Sequence, residues 1–476
     1  MEALHALAGL LTHPLAILVV AVVTVLGMIL VLRIHAFLAL ITAALVVSLL
    51  APGPAVEKIE RVAVAFGTTA GKIGLVIAMA AVIGRCLIDS GAADRVVRMF
   101  MRLLGEKRAP ISLMSSGFVL SIPVFFDTVF YLLLPLARSM HRRTGQKYLL
   151  LILAMGAGAS ITHSLVPPTP GPLYIAGELN IDLGTMIMMG LAVAAPTAVI
   201  ILLFIRALTR FIDIPMRPIE GAGPEPDPLP DEALPGLLVS LLPIVLPVLL
   251  ISANTVAGTL AKAQDAGVLA QRVAACTAVV GNANLAMLIS AAIALAVLKR
   301  QRRLDRRDLA RIIESALMSG GVIILITSAG GAFGAMLQAA GIGDAIEGFF
   351  GTGAQAMGGS KLILLAFLIA FLLKFAQGSS TVSMLTTSGI MVGLIPALGQ
   401  AGVDPNLGFH PVYLATAIGF GAQCGNWMND SGFWIFAKMG GLTETEGLKT
   451  WTVTVSGLSI IGLLITLLYA ALLPMA

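Results

Sequence analysis

Apolar stretches of about twenty residues recur along this 476-residue sequence and restrict its fold more than any other feature. A single helix needs about this length to cross the hydrocarbon core of a bilayer, where every backbone group must be hydrogen-bonded within the protein. Only 12% of the residues are charged, whereas soluble domains carry about 25%. The sequence therefore predicts an all-α, multi-pass integral membrane protein.

Basic residues cluster in short loops, which is the pattern of cytoplasmic loops in membrane proteins and not of a nucleic-acid-binding surface. The clusters span Arg98–Arg108, Arg138–Lys147 and Lys299–Arg311. Only the apolar segment 110–137 separates the first two, and it is shorter than the roughly 40 residues needed to cross and return. We therefore expect a re-entrant hairpin there, broken at Pro123 because proline lacks a backbone donor.

An internal repeat indicates how the chain is organised. Gly71–Asp94 resembles Gly321–Asp344, and the predicted crossings run in opposite directions, so the two repeats should have inverted topology. The segment 266–298 is expected to form one long crossing. The predicted parts are transmembrane helices in 1–55, a first repeat in 56–212 with the hairpin 110–137, a cytoplasmic linker in 213–234, transmembrane helices in 235–300, and a second repeat in 301–476 with a hairpin at 360–398.

Charged residues and helix breaks inside apolar segments indicate a polar site. A charge at mid-membrane costs roughly 2.5–3.5 kcal/mol, and broken backbone is tolerated there only where it is buried in protein or lines a cavity. Freed helix ends can bind an anion through backbone N–H groups, while hydroxyl and amide side chains bind its hydroxyls. The candidate substrate-binding residues are Ser116, Asp127, Thr162, His163, Pro167, Pro168, Gly378, Ser379, Ser380, Thr381, Asn429, Asp430 and Ser431. Among them, Asp127, His163 and Asp430 are the candidates for taking up a proton, because burial raises the pKa of a carboxyl group and histidine titrates near neutrality.

Structural roles remain open for the same residues. Asp127 could cap the hairpin, His163 could be a packing residue, and the hydroxyls of 379–381 could bond their own helix. Trp427 and Trp434 could belong to an interfacial belt or to the cavity wall. Two further expectations concern single charges: Lys374 should extend to a lipid headgroup, and Arg85 should pair with Asp89 four residues later.

An intramembrane enzyme with Asp127 and Asp430 as paired acids is the alternative from another class. The sequence contains no His-Glu-x-x-His or Gly-x-Ser-x-Gly motif. Its three cysteines have no paired spacing that would indicate a disulfide or a metal site. We therefore predict a transporter and not an enzyme, with no catalytic residues, metal or cofactor.

Five motifs resemble the gluconate permease (GntP-type) family of the ion transporter superfamily. They are Gly117–Asp127, His163–Pro172, Gly281–Leu288, Gly378–Val382 with Ser388–Gly389, and Asn429–Trp434. The resemblance implies proton-coupled uptake of gluconate or a related sugar acid across a bacterial inner membrane. It also implies inverted repeats with paired re-entrant hairpins and interrupted helices, a homodimer and an elevator-like motion.

The sequence departs from the family pattern at two positions, where Thr169 and Trp427 stand in place of the usual histidines. These changes alter the expected polarity and size of the pocket. The exact solute therefore stays open among gluconate, glycerate, another aldonate and a hydroxylated amino acid such as serine. A sodium-coupled carrier of dicarboxylates is the alternative within the transporter class.

Overall fold

The computed structural model describes residues 13–217, 230–261, 267–341, 359–400, 407–428 and 430–475, and within these ranges it contains helices and connecting loops but no strand. The helices of the first half are α1 (Pro14–Leu26), α2 (Ala36–Leu50), α3 (Glu57–Asp89), α4 (Ala92–Leu104), α5 (Ala109–Leu120), α6 (Phe126–Thr144), α7 (Tyr148–Leu165), α8 (Pro170–Glu178) and α9 (Leu183–Phe211). Those of the second half are α10 (Leu237–Ala261), α11 (Val268–Val280), α12 (Ala283–Arg302), α13 (Arg306–Ala339), α14 (Gly359–Gln377), α15 (Ser380–Leu394), α16 (Val412–Gly421), α17 (Ser431–Trp434), α18 (Glu444–Gly447) and α19 (Val453–Leu472).

Seven helical segments among the described residues are long and apolar enough to cross a membrane. The segment through α7 and α8 is the most buried of them, so it lies at the centre of the molecule. The helices α3 and α13, which carry the repeated glycine pattern, pack against each other over much of their length. Their close approach requires a small residue, because a Cβ added at Gly331 would meet the side chain of Thr69.

Two pairs of helices are each joined by a short turn. The helix α5 ends at Leu120 and α6 begins at Phe126, so the first break lies at Pro123 as the sequence predicts. The helices α14 and α15 are separated only by Gly378 and Ser379, where Gly378 has a positive φ of 80°. Each turn is therefore followed directly by the N-terminus of a new helix.

Two further helices are interrupted. After α7 the chain leaves helical geometry at Val166–Thr169 before α8, and after α16 it does so at 422–428 and at Asp430 before α17. These two interrupted helices cross closely, since a Cβ at Gly419 would lie 2.5 Å from the carbonyl oxygen of Ser164. The fold thus brings two turns and two helix breaks into one region.

The segment 266–298 is not a single helix as expected. Its described part is divided at Gly281–Asn282 into α11 and α12, both of which pack on α10. A side chain at Gly281 would lie 2.4 Å from the carbonyl oxygen of Leu250, and the Asn282 side chain accepts a hydrogen bond from the first turn of α12. Close packing and a new helix cap at this point explain the division.

Ion pairs fix the loops at the ends of the helices. The predicted pair of Arg85 and Asp89 is confirmed, with Nε and Oδ2 2.7 Å apart. In the described end of the linker, the carboxylate of Asp231 binds Arg98 and Arg102 on α4. The hydrogen bond from Arg98, followed by the charges of the neighbouring arginines, lowers the pKa of Asp231 below its ordinary value. The linker therefore docks on α4 through charge.

Candidate functional site

A cavity of about 580 Å³ lies where the two turns and the second helix break meet. Both halves of the chain contribute to its wall, which is rich in small polar side chains and carries several aromatic rings. The lining residues are Phe125, Phe126, Asp127, Ser160, His163, Ser164, Ser319, Ile323, Gly378, Ser379, Ser380, Thr381, Asn426, Asp430, Gly432, Ile435 and Trp451. The volume suits one small organic molecule.

The first turn presents a carboxylate to the cavity. Asp127 lies in the first turn of α6, a helix of 19 residues, where the backbone N–H groups and the helix dipole favour a negative charge. The Thr128 hydroxyl lies 3.4 Å from Asp127 Oδ1, at the edge of hydrogen-bonding distance. The N-terminus of α6 therefore already holds a carboxyl group of the protein itself.

His163 lies in the last turn of α7 and faces the same space. Its ring meets the ring of Phe125 edge-on at 6.1 Å between centroids, and Asp127 is close enough to act on it electrostatically. Its Nδ1 is buried and has no hydrogen-bond partner among the described residues. The described residues thus leave one buried nitrogen of this imidazole without a hydrogen-bond partner.

The second turn presents hydroxyls and no carboxylate. Ser379 caps α15 by accepting a hydrogen bond from the backbone of Val382, and Ser380 and Thr381 occupy the first helical turn. That first turn contains no acidic residue, so the positive end of the α15 dipole is not neutralised there by a carboxylate of its own helix. This helix end is suited to receive an external anion.

Lys374 is fully buried, which corrects the expectation that it extends to a lipid headgroup. Its ammonium forms an ion pair with the carboxylate of Asp430 and donates a hydrogen bond of 2.8 Å to the carbonyl oxygen of Gly378. An isolated buried charge would cost several kcal/mol, so the side chain turns inward only because these two acceptors are there.

Asp430 connects this pair to the second helix break. Its Oδ1 accepts a hydrogen bond from the backbone N–H of Gly432, and the residue is only 6% exposed. The carbonyl oxygen of the neighbouring Asn426 accepts from Thr452, while its side-chain Oδ1 has no partner among the described residues. Asn429 and the side chain of Ser431, both predicted for the site, lie outside the described part of the structure.

Four predicted residues do not reach the cavity. Ser116 donates to the carbonyl oxygen of Ser112 within α5, and Thr162 donates to that of Phe118 on the neighbouring helix. Pro167 and Pro168 are buried in packing at the first break. The cavity wall on this side consists instead of Ser160, His163 and Ser164 on α7.

Comparison with known proteins places the chain in a family. The model of the GntP family permeases matches residues 13–472. This chain belongs to the GntP permease family. It is 33% identical to a gluconate permease of Pseudomonas aeruginosa, covering 97% of this chain and 99% of the relative.

Two relatives from Escherichia coli K12 match this permease over similar lengths. The L-idonate transporter of the Gnt-II system is 31% identical, covering 95% of this chain and 98% of the relative. The inner membrane permease YgbN is also 31% identical, covering 95% and 97%. The predictions of a transporter and not an enzyme, and of a multi-pass protein of the bacterial inner membrane, are confirmed.

The solved structure of the YdaH transporter of Alcanivorax borkumensis has a similar fold. It aligns with a TM-score of 0.64 at 16% identity, covering 93% of this permease and 98% of that chain. At this level of identity the likeness concerns the fold alone. It agrees with the all-helical membrane architecture predicted from the sequence.

Sequence reasoning missed several residues of the wall, above all Trp451. Its ring stacks on those of Phe436 at 4.4 Å and Phe126 at 5.5 Å, and its Nε1 has no hydrogen-bond partner among the described residues. Trp427 and Trp434, which the sequence left open as wall residues, donate to backbone carbonyl oxygens and do not line the cavity.

Proposed function

We propose that this permease takes up gluconate or a related sugar acid together with protons. The observation that carries the proposal is the cavity, which combines an acid-free helix N-terminus and several hydroxyls with two carboxylates and an imidazole. Relatives of similar length are named gluconate permease and L-idonate transporter. Both names denote small carboxylates that carry several hydroxyls, which is the chemistry such a wall suits.

The solute carboxylate binds at the N-terminus of α15, next to Ser379 and Ser380. Backbone N–H groups and the helix dipole favour an anion at such a position. The hydroxyls of the solute then face Thr381 and Asn426, which line the cavity.

Proton coupling follows from the charges that already surround the cavity. A carboxylate of the solute and an ionised Asp127 in the same cavity would repel each other, because like charges at short range in a partly buried site interact more strongly than in water. A proton bound to the protein removes this repulsion, so solute and proton favour each other's binding. Asp127, His163 and Asp430 are the groups through which the described wall can bind that proton.

Inverted repeats would give the permease two access states around one site. The turn between α5 and α6 and the turn between α14 and α15 occupy corresponding places in the chain, as do the breaks after α7 and α16. Broken helices around a central site, related by an inverted repeat, are typical of secondary transporters. We propose re-entrant hairpins at both turns, an elevator-like motion and a homodimer.

Uptake into proteoliposomes tests the function. Wild-type permease should accumulate radiolabelled D-gluconate when an inward pH gradient is imposed, and a protonophore should abolish the accumulation. Unlabelled idonate and glycerate should compete, whereas citrate and serine should not. Accumulation that requires an inward sodium gradient, or competition by citrate alone, would favour the sodium-coupled dicarboxylate carrier and contradict the proposal.

Neutral variants identify the group that carries the proton. Asp127→Asn, His163→Gln and Asp430→Asn should each be compared for gradient-driven accumulation and for exchange of internal against external gluconate. Loss of the proton-carrying group should abolish accumulation while exchange continues, because exchange moves no net proton. Normal accumulation in all three variants would contradict a proton site in this cavity.

A further inference from the structure

The buried ion pair between Lys374 and Asp430 lies directly behind the cavity wall. Both residues that receive the ammonium, Gly378 and Asp430, line the cavity, whereas Lys374 does not. The ammonium is therefore one contact away from the cavity, through either of these two wall residues. The pair also connects α14 to the break after α16, so it joins two separate elements of the wall.

No lysine or arginine lines the cavity among the described residues. An anion that enters thus finds helix N–H groups and hydroxyls, and the positive charge just behind them is already neutralised by Asp430. The other titratable groups facing this space are Asp127 on α6 and His163 on α7. Lys374 is consequently the cation with which a bound carboxylate could form an ion pair, once Asp430 is no longer its partner.

We propose that Lys374 is the counter-ion of the solute carboxylate, and that a proton bound by Asp430 releases it for that role. This inference rests on the proposed function. When the proton adds to a carboxylate oxygen of Asp430, its negative charge disappears and the solute carboxylate replaces it as partner of the ammonium. The ammonium keeps its three protons throughout, and the total charge of the site is the same before and after.

The exchange makes proton and anion depend on each other. A proton on Asp430 without a solute would leave a buried ammonium without a counter-charge, which is strongly unfavourable. A solute without the proton would compete with a carboxylate that is already bound to Lys374. Both half-steps are disfavoured, so the site fills and empties with one proton and one carboxylate together.

A neutral double variant separates this role from a structural one. In Lys374→Met/Asp430→Asn no buried charge is left unpaired, so the variant should fold. D-gluconate binding, measured by titration calorimetry on the purified permease, should nevertheless weaken at least 100-fold. The matched control is Arg85→Gln/Asp89→Asn. It removes an ion pair whose arginine is half exposed and whose two residues do not line the cavity, and it should bind gluconate like the wild type.

The single variant Asp430→Asn sharpens the test, because it leaves the ammonium available at all times. It should bind gluconate at least as tightly as the wild type at pH 8. The wild-type affinity should fall by about tenfold for each unit of rising pH, as expected when one proton binds with the solute, and Asp430→Asn should lose this dependence. If the ion pair were only structural, the order of affinities would be reversed. The neutral double variant Lys374→Met/Asp430→Asn would then bind gluconate more tightly than Asp430→Asn.

Three outcomes would overturn the inference. Binding by the folded double variant within threefold of the wild type would show that the solute does not use Lys374. Loss of pH dependence in Asp127→Asn, with normal dependence in Asp430→Asn, would assign the proton elsewhere. If the wild type binds none of gluconate, idonate and glycerate under any condition, both the proposed function and the proposed role of Lys374 are overturned. The first two outcomes leave the proposed function intact.

Discussion

The break after α7 and the break after α16 interrupt their helices by different chemistry. The first contains Pro167 and Pro168, which have no backbone N–H to satisfy, and the Thr169 hydroxyl donates to the carbonyl oxygen of Val166 at 2.7 Å. It is buried in packing. The second contains glycine, asparagine and aspartate, whose donors and charges require partners, and it receives them from Lys374 and from other helices.

This difference assigns different roles to the two breaks. A helix break with few unsatisfied hydrogen-bond donors can be buried by apolar packing alone. A charged residue in a break must instead be paired with an opposite charge or face a polar space. In this permease the proline break supports the cavity from behind, and the Gly/Asn/Asp break forms part of its wall. The two are joined by Ser160 on α7, which donates to Gln423 Oε1 at 2.7 Å.

The largest expected effect concerns the packing that supports the first break. A Cβ at Gly158 would lie 2.2 Å from the carbonyl oxygen of Met114, so α5 and α7 cannot keep their distance in Gly158→Val. We expect a loss of about 3 kcal/mol in stability, seen as little folded protein in size-exclusion chromatography. Gly67→Val, on a part of α3 with open space around it, is the control. Equal yields of the two variants would argue against a packing role.

Two variants with effects of intermediate size distinguish a residue that stabilises the proline break from one that binds the solute. Thr169→Val removes the hydrogen bond within the proline break and should lower stability by about 1 kcal/mol while leaving the KM for gluconate unchanged. Ser380→Ala should leave thermal stability unchanged and raise the KM by about 3–10-fold, since one hydrogen bond to the solute is lost. A KM for gluconate that rises in Thr169→Val and stays unchanged in Ser380→Ala would contradict these roles.

The smallest effect concerns the link between the breaks. Ser160→Ala and Gln423→Ala should each destabilise the permease slightly, and the double variant should show a coupling energy of about 0.5 kcal/mol. Thermal unfolding of the four proteins in detergent measures this energy. Additive effects would mean that the two breaks are held independently of each other.

Much of the site could be predicted from the sequence because its residues violate the rules for a membrane helix. Asp127, His163, Asp430 and the serines after Gly378 stand out in apolar surroundings, and the structure brings all of them to one cavity. Helical periodicity could also have separated Thr162 from its neighbours. Ser160, His163 and Ser164 are spaced to share one face, whereas Thr162 points to α5.

Other parts could not be predicted because they depend on contacts between distant segments. Lys374 follows a long apolar run, and nothing in that run tells whether its side chain turns to lipid or to the interior. Its direction is decided by Asp430, more than fifty residues later in the chain. Trp451 reaches the cavity only because the chain returns through α18, and its position is set by stacking on Phe436.

Cysteine labelling tests most directly whether the solute binds at the second turn and not at the proline break. Ser380→Cys and Thr169→Cys are prepared after replacement of Cys86, Cys276 and Cys424, and each is treated with a small maleimide with and without gluconate. We predict that Ser380→Cys reacts and that gluconate protects it, while Thr169→Cys stays unreactive in both conditions. Labelling of Ser380→Cys that gluconate does not change, or a gluconate-protected Thr169→Cys, would contradict the account.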